Sequence, residues 1–412
     1  MQPALPIAPE DRIEAMDVLR GFALLGILLV NVLFFCAPAQ ETIMKPWRET
    51  TDPWLLGLVF WLVQGKFYCL FSFLFGAGFS VQTSRLEARG ARTGSIYTRR
   101  QLVLLGIGLL HGVLLWMGDI LAAYALAGLL LLAFRKRQPR TLLIWAAVLL
   151  ALATLVWALF WVAILVAQTV PAAAQEMHRA AQAQAAEMAR KSAEALRAYG
   201  QGPYVLLFQV RLKELATNYG MTLAILPQIL AMFLLGAWAG RTGILGDPAG
   251  HRRLLRRVAA WGFLVALPLS AGCAWVFGKG FPGPANPGAM LAFALLTCAT
   301  PGLSLAYAAG LVLLLQKAGA GAFLRRLASP GRMALSNYLG QSVVMTTMFY
   351  FYGFGLYGRV PLPAAYGLAL VLFALQVLAS RAWLTRFSMG PAEWLWRRLT
   401  YGHAPAFRKA VR

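Results

Sequence analysis

The chain has 412 residues, of which 59% are hydrophobic and only 13% charged, and its formal net charge is +23. A soluble chain of this length would carry about twice that charged fraction, so a water-soluble globular fold is excluded. The positive charge does not indicate a nucleic-acid partner. Lysine and arginine fall mostly in short connections between apolar runs of roughly 18 to 28 residues, the pattern that orients helices in a lipid bilayer.

The fold class that follows is all-α: a polytopic membrane helical bundle of about ten transmembrane helices in a single domain. Residues 1–15 form a polar tail, and the first helix runs near 17–36. Its end, Ala37-Pro38-Ala39, resembles a signal-peptidase site, but Asp11, Glu14 and Asp17 crowd the preceding region and Asn31 interrupts the run. An uncleaved first helix is expected. A polar loop (40–53) leads to helix two (54–82), which Gln64-Gly65-Lys66 interrupts. Helices three (101–117) and four (119–134) form a hairpin turning at Gly118-Asp119, and helix five covers 141–168.

Residues 171–203 differ in kind. They are rich in Ala, Gln, Glu and Arg, with Glu187 four before Lys191, the order that favours a helix. They predict an amphipathic helical insert outside the lipid core, followed by an interfacial stretch at 204–218. Helices six to ten are expected near 219–240, 258–277, 289–316, 332–352 and 363–380, with a Gly/Pro turn at 278–288 and a kink at Pro301-Gly302. Residues 386–412 form a polar tail. Ten helices put both termini on one side, and that side receives 27 of the 38 lysines and arginines. The bias predicts both termini on the cytoplasmic side of the membrane, with the 171–203 insert outside.

Ionisable and polar groups inside apolar runs are costly and mark sites or helix–helix contacts. His111 lies 11 residues beyond Arg100, roughly 16 Å into the membrane, and Asn31 lies equally far beyond Arg20. Lys66, Gln228 and Gln341 fall near the same depth, and Asn337 follows Arg332 closely. Such a layer predicts one internal cavity lined by Lys66, Gln228, Asn337 and Gln341, with His111, Asp119 and Asn31 as catalytic candidates. Each has a plainer alternative. His111 and Asn31 also suit interhelical hydrogen bonds, Lys66 can snorkel, and Asp119 can serve as a turn residue. Gly108 with Gly112, and Gly236 with Gly240, suit close helix packing.

No Walker loop, nucleotide fold, metal spacing or serine elbow occurs, and the four cysteines show no paired spacing. No metal and no permanently bound cofactor is expected. Proton-coupled transport and a transfer reaction with His111 as general base both remain open.

Five motifs resemble the YeiB-like family of bacterial inner-membrane proteins, a domain of unknown function. They are Ala15–Asn31, Gly65-Lys66-Phe67 with Leu74–Gly78, Leu110-His111-Gly112 with Gly118–Leu121, Gly331–Tyr338 and Gly390–Arg397. The first is also similar to the opening of transmembrane acyltransferases of the heparan-α-glucosaminide acetyltransferase type. That resemblance implies movement of an acyl group from cytoplasmic acyl-CoA to an acceptor in or across the membrane. Arg20, Arg99, Arg100, Arg332 and Arg397 would then bind the acyl-CoA phosphates, since guanidinium groups suit phosphate. His111 would be the base, oriented by Asp119 or Asn31, and Glu393–Arg397 an interfacial flap. The acetyltransferase group carries its reactive histidine soon after the first-helix asparagine, whereas no histidine occurs here between residues 32 and 110. His111 would have to reach the site from helix three.

Overall fold

The computed structural model of the chain describes residues 12–38, 50–279, 286–402 and 406–409. The polar tail up to residue 11, the polar loop over 39–49, the Gly/Pro turn over 280–285, and positions 403–405 and 410–412 lie outside the described residues.

Backbone N–H and C=O groups in lipid must bond within their own segment, and the described chain is accordingly almost entirely helical. In order the helices are α1 (Glu14–Cys36), α2 (Pro53–Leu62), α3 (Lys66–Ala88), α4 (Thr93–Leu114), α5 (Leu121–Leu131), α6 (Pro139–Thr169), α7 (Pro171–Gln201) and α8 (Tyr204–Arg241). They continue with α9 (Arg252–Trp261), α10 (Leu267–Gly278), α11 (Pro287–Leu315), α12 (Ala318–Leu324), α13 (Ala328–Arg332), α14 (Ala334–Phe349), α15 (Leu362–Arg386) and α16 (Pro391–Tyr401). Seven segments are long and apolar enough to cross a membrane: α1, α2–α3, α6, α8, α9–α10, α11 and α15. The other three expected crossings correspond to α4, which carries Arg99, Arg100 and His111, to α5 of 11 residues and to α14 of 16 residues. α6 is the opposite extreme. None of its most apolar stretch is buried, so it offers apolar side chains all round, as a lipid-facing helix does.

Glycines set the closest packing. A Cβ at Gly236 would lie 1.8 Å from the Phe73 carbonyl oxygen, and one at Gly76 would lie 1.9 Å from that of Phe233. The backbones of α3 and α8 therefore touch, as small-residue pairs permit. The Gly108 and Gly112 face is used in the same way, against Ala122 and against Leu215 with Tyr219. α1 is locked to the segment around α13, where Gly331 meets the Asp17 carbonyl and Gly21 meets that of Leu327.

The structure gives detail to four expectations. The second helix is two, because Gly65 adopts φ +83° and ends α2 before Lys66 starts α3. Residues 204–218 are continuous with the sixth expected helix. They open the 38-residue α8, and Leu207, Val210, Arg211 and Leu215 are buried there because α7 folds back over this segment and α4 packs on it. The seventh helix starts at Arg252 and passes through a π turn (Gly262–Ala266) just before Pro268, which has no N–H to continue the regular ladder. The C-terminal tail contains α16, which packs on α4 and α14.

The α3–α8 contact yields a direct test. Gly236→Ala forces two backbones apart, and overpacking of this kind costs about 1–3 kcal/mol or more. The thermal midpoint of the detergent-purified protein is expected to fall clearly, whereas Gly220→Ala, at a position with open space, leaves it unchanged.

Candidate functional site

A cavity of about 330 Å³ opens at the arginine-rich end of the bundle, between α1, α3, α4, α14 and α16. Its mouth is lined by Arg12 and Arg20 before and within α1, by Arg85 and Arg89 at the end of α3, and by Arg100, Arg332 and Arg397. Asp17 and Glu393 are the two lining carboxylates. Helix periodicity explains much of this: Arg85 and Arg89 are four residues apart, and Asp17 and Arg20 three apart, so each pair shares a face.

Both carboxylates are already engaged. Asp17 Oδ1 accepts from Arg20 Nη1 at 3.2 Å. Glu393 Oε1 accepts from the backbone N–H groups of Leu335 (2.7 Å) and Ser336 (3.1 Å), and Oε2 accepts from Ser336 Oγ at 2.5 Å. Ser336 Oγ in turn accepts from Ala392 N at 3.0 Å. Glu393 thus caps the start of α14 while Ser336 caps the start of α16, a reciprocal clasp that satisfies N–H groups left free at two helix N-termini. Gly390 is needed here, since a Cβ would lie 2.2 Å from Glu393 Oε2. Trp396 completes the wall. Its ring lies 3.6 Å from the Arg100 guanidinium carbon, and its Nε1 donates to the Arg100 carbonyl at 2.9 Å. Burial pushes the Arg397 guanidinium down, Tyr401 pulls it back up, and the nearby positive charge of Arg12 pushes it down again. A mouth with this excess of positive charge attracts anions.

Deeper in, the walls turn apolar through Leu24, Ile27, Phe71, Leu74, Leu104 and Leu121, and Tyr338 also lines the cavity. The ring centroid of Tyr338 is 5.1 Å from that of His111, which does not line the cavity. His111 is buried with both ring nitrogens engaged: Nδ1 faces Asp119 Oδ1 at 3.0 Å and Nε2 faces Ser342 Oγ at 2.8 Å. Asp119 is both turn residue and partner, because its Oδ2 accepts from Ala122 N at 2.9 Å and caps α5. The carboxylate selects the tautomer with hydrogen on Nδ1, which leaves Nε2 as an acceptor for the Ser342 hydroxyl.

The structure brings together Arg20, Arg100, Arg332 and Arg397, and it brings Asp119 to His111. Arg99 is exposed and lies outside the cavity. Asn31 is half-buried and does not line the cavity either, so it is not placed to orient His111. Lys66, Gln228, Asn337 and Gln341 do not line this cavity. Lys66 Nζ donates to the Phe60 carbonyl at the end of α2 (2.8 Å). Gln228 accepts from Tyr68 Oη (2.6 Å) and donates to the Thr297 carbonyl (3.1 Å). Gln341 donates to Gln376 (2.9 Å), Gln376 to the Asn337 carbonyl (2.9 Å), and Asn337 Nδ2 to Ser380 Oγ (2.9 Å). Most of these polar atoms are satisfied within their own helix contacts, as burial in a low dielectric demands, although Gln341 Oε1 is buried without a partner. Ser342 and Tyr338 were not singled out as site residues, although Gln341 and Asn337 beside them in the chain were. Arg85 and Arg89 were readable from their spacing.

The clasp separates charge from hydrogen bonding. Glu393→Ala leaves the Leu335 and Ser336 N–H groups at the start of α14 without their acceptor and is expected to cost about 1–2 kcal/mol. Glu393→Gln keeps the acceptor oxygen and costs less. Burial raises the Glu393 carboxyl above its ordinary 4.5. Its titration therefore favours docking of α16 fully below that value, and the contribution is lost as pH climbs through the raised one. Protease protection of residues 391–401 against pH is expected to show this slope, and Glu393→Gln to flatten it.

A family model described as a protein of unknown function, DUF418, matches residues 239–403. The chain is 34% identical over 420 aligned residues to the uncharacterized protein YxaH of Bacillus subtilis (strain 168), covering 96% of both chains. It is 31% identical over 416 residues to the uncharacterized protein YeiB of Escherichia coli (strain K12), covering 98% of this chain and all of that one. An uncharacterized 39.9 kDa protein from the amylase 3′ region of Bacillus acidopullulyticus is 29% identical over 402 residues, with 96% of each chain covered.

Proposed function

This chain belongs to the YeiB-like family of uncharacterized proteins, and we propose that it is a membrane-embedded acyltransferase-like protein using cytoplasmic acyl-CoA. The proposal takes the protein as resident in the bacterial inner membrane, both termini inside. α4, α5 and α14 join the seven long segments to make ten crossings. The observation that carries it is the convergence of Arg20, Arg100, Arg332 and Arg397 on one cavity whose deeper wall is apolar. Guanidinium groups suit the phosphates of a coenzyme A moiety, and the apolar wall suits an acyl chain.

In this reading the thioester reaches the level of Tyr338, and that ring swings aside to admit His111. Asp119 holds the imidazole with Nε2 as base. An acceptor hydroxyl or amine replaces Ser342 on Nε2 and gives up its proton as it attacks the thioester carbonyl. The carbon–sulfur bond then breaks, and the departing thiolate takes the proton from the imidazolium and leaves as free CoA thiol. Arg332 and Arg397 hold the phosphates throughout.

A second reading, a proton-coupled carrier or exporter of a small solute, is favoured by one observation. The His111–Asp119 pair sits off the cavity, beyond Tyr338, where it suits a gated proton site. Uptake into proteoliposomes that depends on a proton gradient and ignores acyl-CoA would select it.

Long-chain acyl-CoA is expected to raise the thermal midpoint of the purified protein, and the free fatty acid is not. Arg100→Gln and Arg397→Gln should each weaken binding about tenfold or more, the scale of one charge-assisted contact. His111→Ala should bind as well as the parent and transfer nothing. Absence of any acyl-CoA stabilisation would refute the assignment.

A further inference from the structure

A second concavity, of about 520 Å³, is separate from the arginine cavity and shares no lining residue with it. Ten residues line it. Three are cations, none is acidic, and the rest are apolar or aromatic apart from Gly310. Its polar rim follows from local structure. Arg252 and Arg256 are one helical turn apart at the start of α9 and share a face. Lys317 lies just past the last turn of α11, where cations also suit the helix dipole.

The slot beside this rim is built by two departures from regular packing. Phe263 lies in the π turn, and its ring stands 6.0 Å from that of Tyr307. Tyr307 is held in place because its hydroxyl donates to the Leu62 carbonyl at 2.9 Å. Gly310 leaves the space beside Phe263 unfilled, since a Cβ there would make only ordinary contact with that ring at 3.6 Å. Phe263 and Leu314 are themselves exposed, so the slot opens on the outer surface of the bundle and not into its interior.

We infer that this slot is a binding site for an anionic membrane phospholipid, its phosphate held by Arg252, Arg256 and Lys317 and one acyl chain lying along Phe263, Tyr307 and Gly310. Charge complementarity selects an anionic headgroup, and the apolar majority of the lining selects a lipid over free phosphate. Basic pockets between membrane helices bind anionic headgroups for this reason. The inference is independent of the acyltransferase reading.

Native mass spectrometry of the full-length protein, with phosphatidylglycerol or phosphatidylcholine of the same acyl chains added in detergent, tests it. Phosphatidylglycerol is expected to stay bound and raise the thermal midpoint, and phosphatidylcholine to do neither. The triple variant R252Q/R256Q/K317Q should lose retention about tenfold or more. Gly310→Leu, which fills the slot and leaves the cations in place, should lose it as well. The charge variants alter exposed side chains, so their folding can be confirmed by an unchanged thermal midpoint without lipid. Equal retention of the two lipids overturns the site. So does full retention by Gly310→Leu, which would reduce it to surface electrostatics, and so does displacement of the lipid by inorganic phosphate alone.

Discussion

Seven guanidinium groups drawn into one cavity repel one another, and the remainder of this end of the molecule is arranged to oppose that repulsion. Backbone contact at Gly21 and Gly331 fixes α1 against α13, so Arg20 and Arg332 cannot drift apart. The Glu393–Ser336 clasp ties α16 to α14 and holds Arg397 in the wall. Trp396 spreads its ring under Arg100 and adds cation–π attraction of about 1 kcal/mol. Asp17 offsets part of the charge through Arg20. The surplus is what an anionic ligand would neutralise, so cohesion here and the proposed ligand chemistry share one cause.

The same economy of charge appears away from the cavity in another form. Lys66, Gln228 and the Asn337–Gln376–Gln341 chain are each consumed by a carbonyl or amide on a neighbouring helix. These contacts weld α2 to α3, α3 to α8, and α14 to α15. Arg211 does related work on α8. It is fully buried, and its Nη1 donates to the Leu114 carbonyl at 2.6 Å, closing the C-terminus of α4 three residues after His111. The helix that carries the histidine is thereby tied to the base of the α7 insert. Tyr199 of that insert donates to Glu214 Oε2 of α8 at 2.6 Å.

His111 has contacts that serve packing and, in the proposed function, would also serve proton transfer. Its contacts with Asp119 and Ser342 join the α4–α5 hairpin to α14, which is the work of an interhelical hydrogen bond. The same geometry, carboxylate to Nδ1 and hydroxyl to Nε2, prepares an imidazole to accept a proton. Tyr338 lines the cavity and lies beside the imidazole, its ring tilted by 49° with centroids 5.1 Å apart.

Long apolar runs in a lipid solvent admit only helices, and this is why α1, α6, α11 and α15 were legible within a few residues. Gly108, Gly112 and Gly236 were legible as contact points, and Arg20, Arg100, Arg332 and Arg397 as a set flanking the same end. The constant rise per residue also set an expected depth for each polar group. Depth carries no information about rotation around the helix axis or about which neighbour lies opposite. That is why Lys66, Gln228, Asn337 and Gln341, expected at one level, do not line the arginine cavity, why Arg99 points away while Arg100 turns in, and why Ser342 meets a histidine 231 positions earlier in the chain. The sequence by itself determined a helical membrane protein with a basic end. Only tertiary packing, by choosing which helix faces meet, decided which of its polar groups form a site.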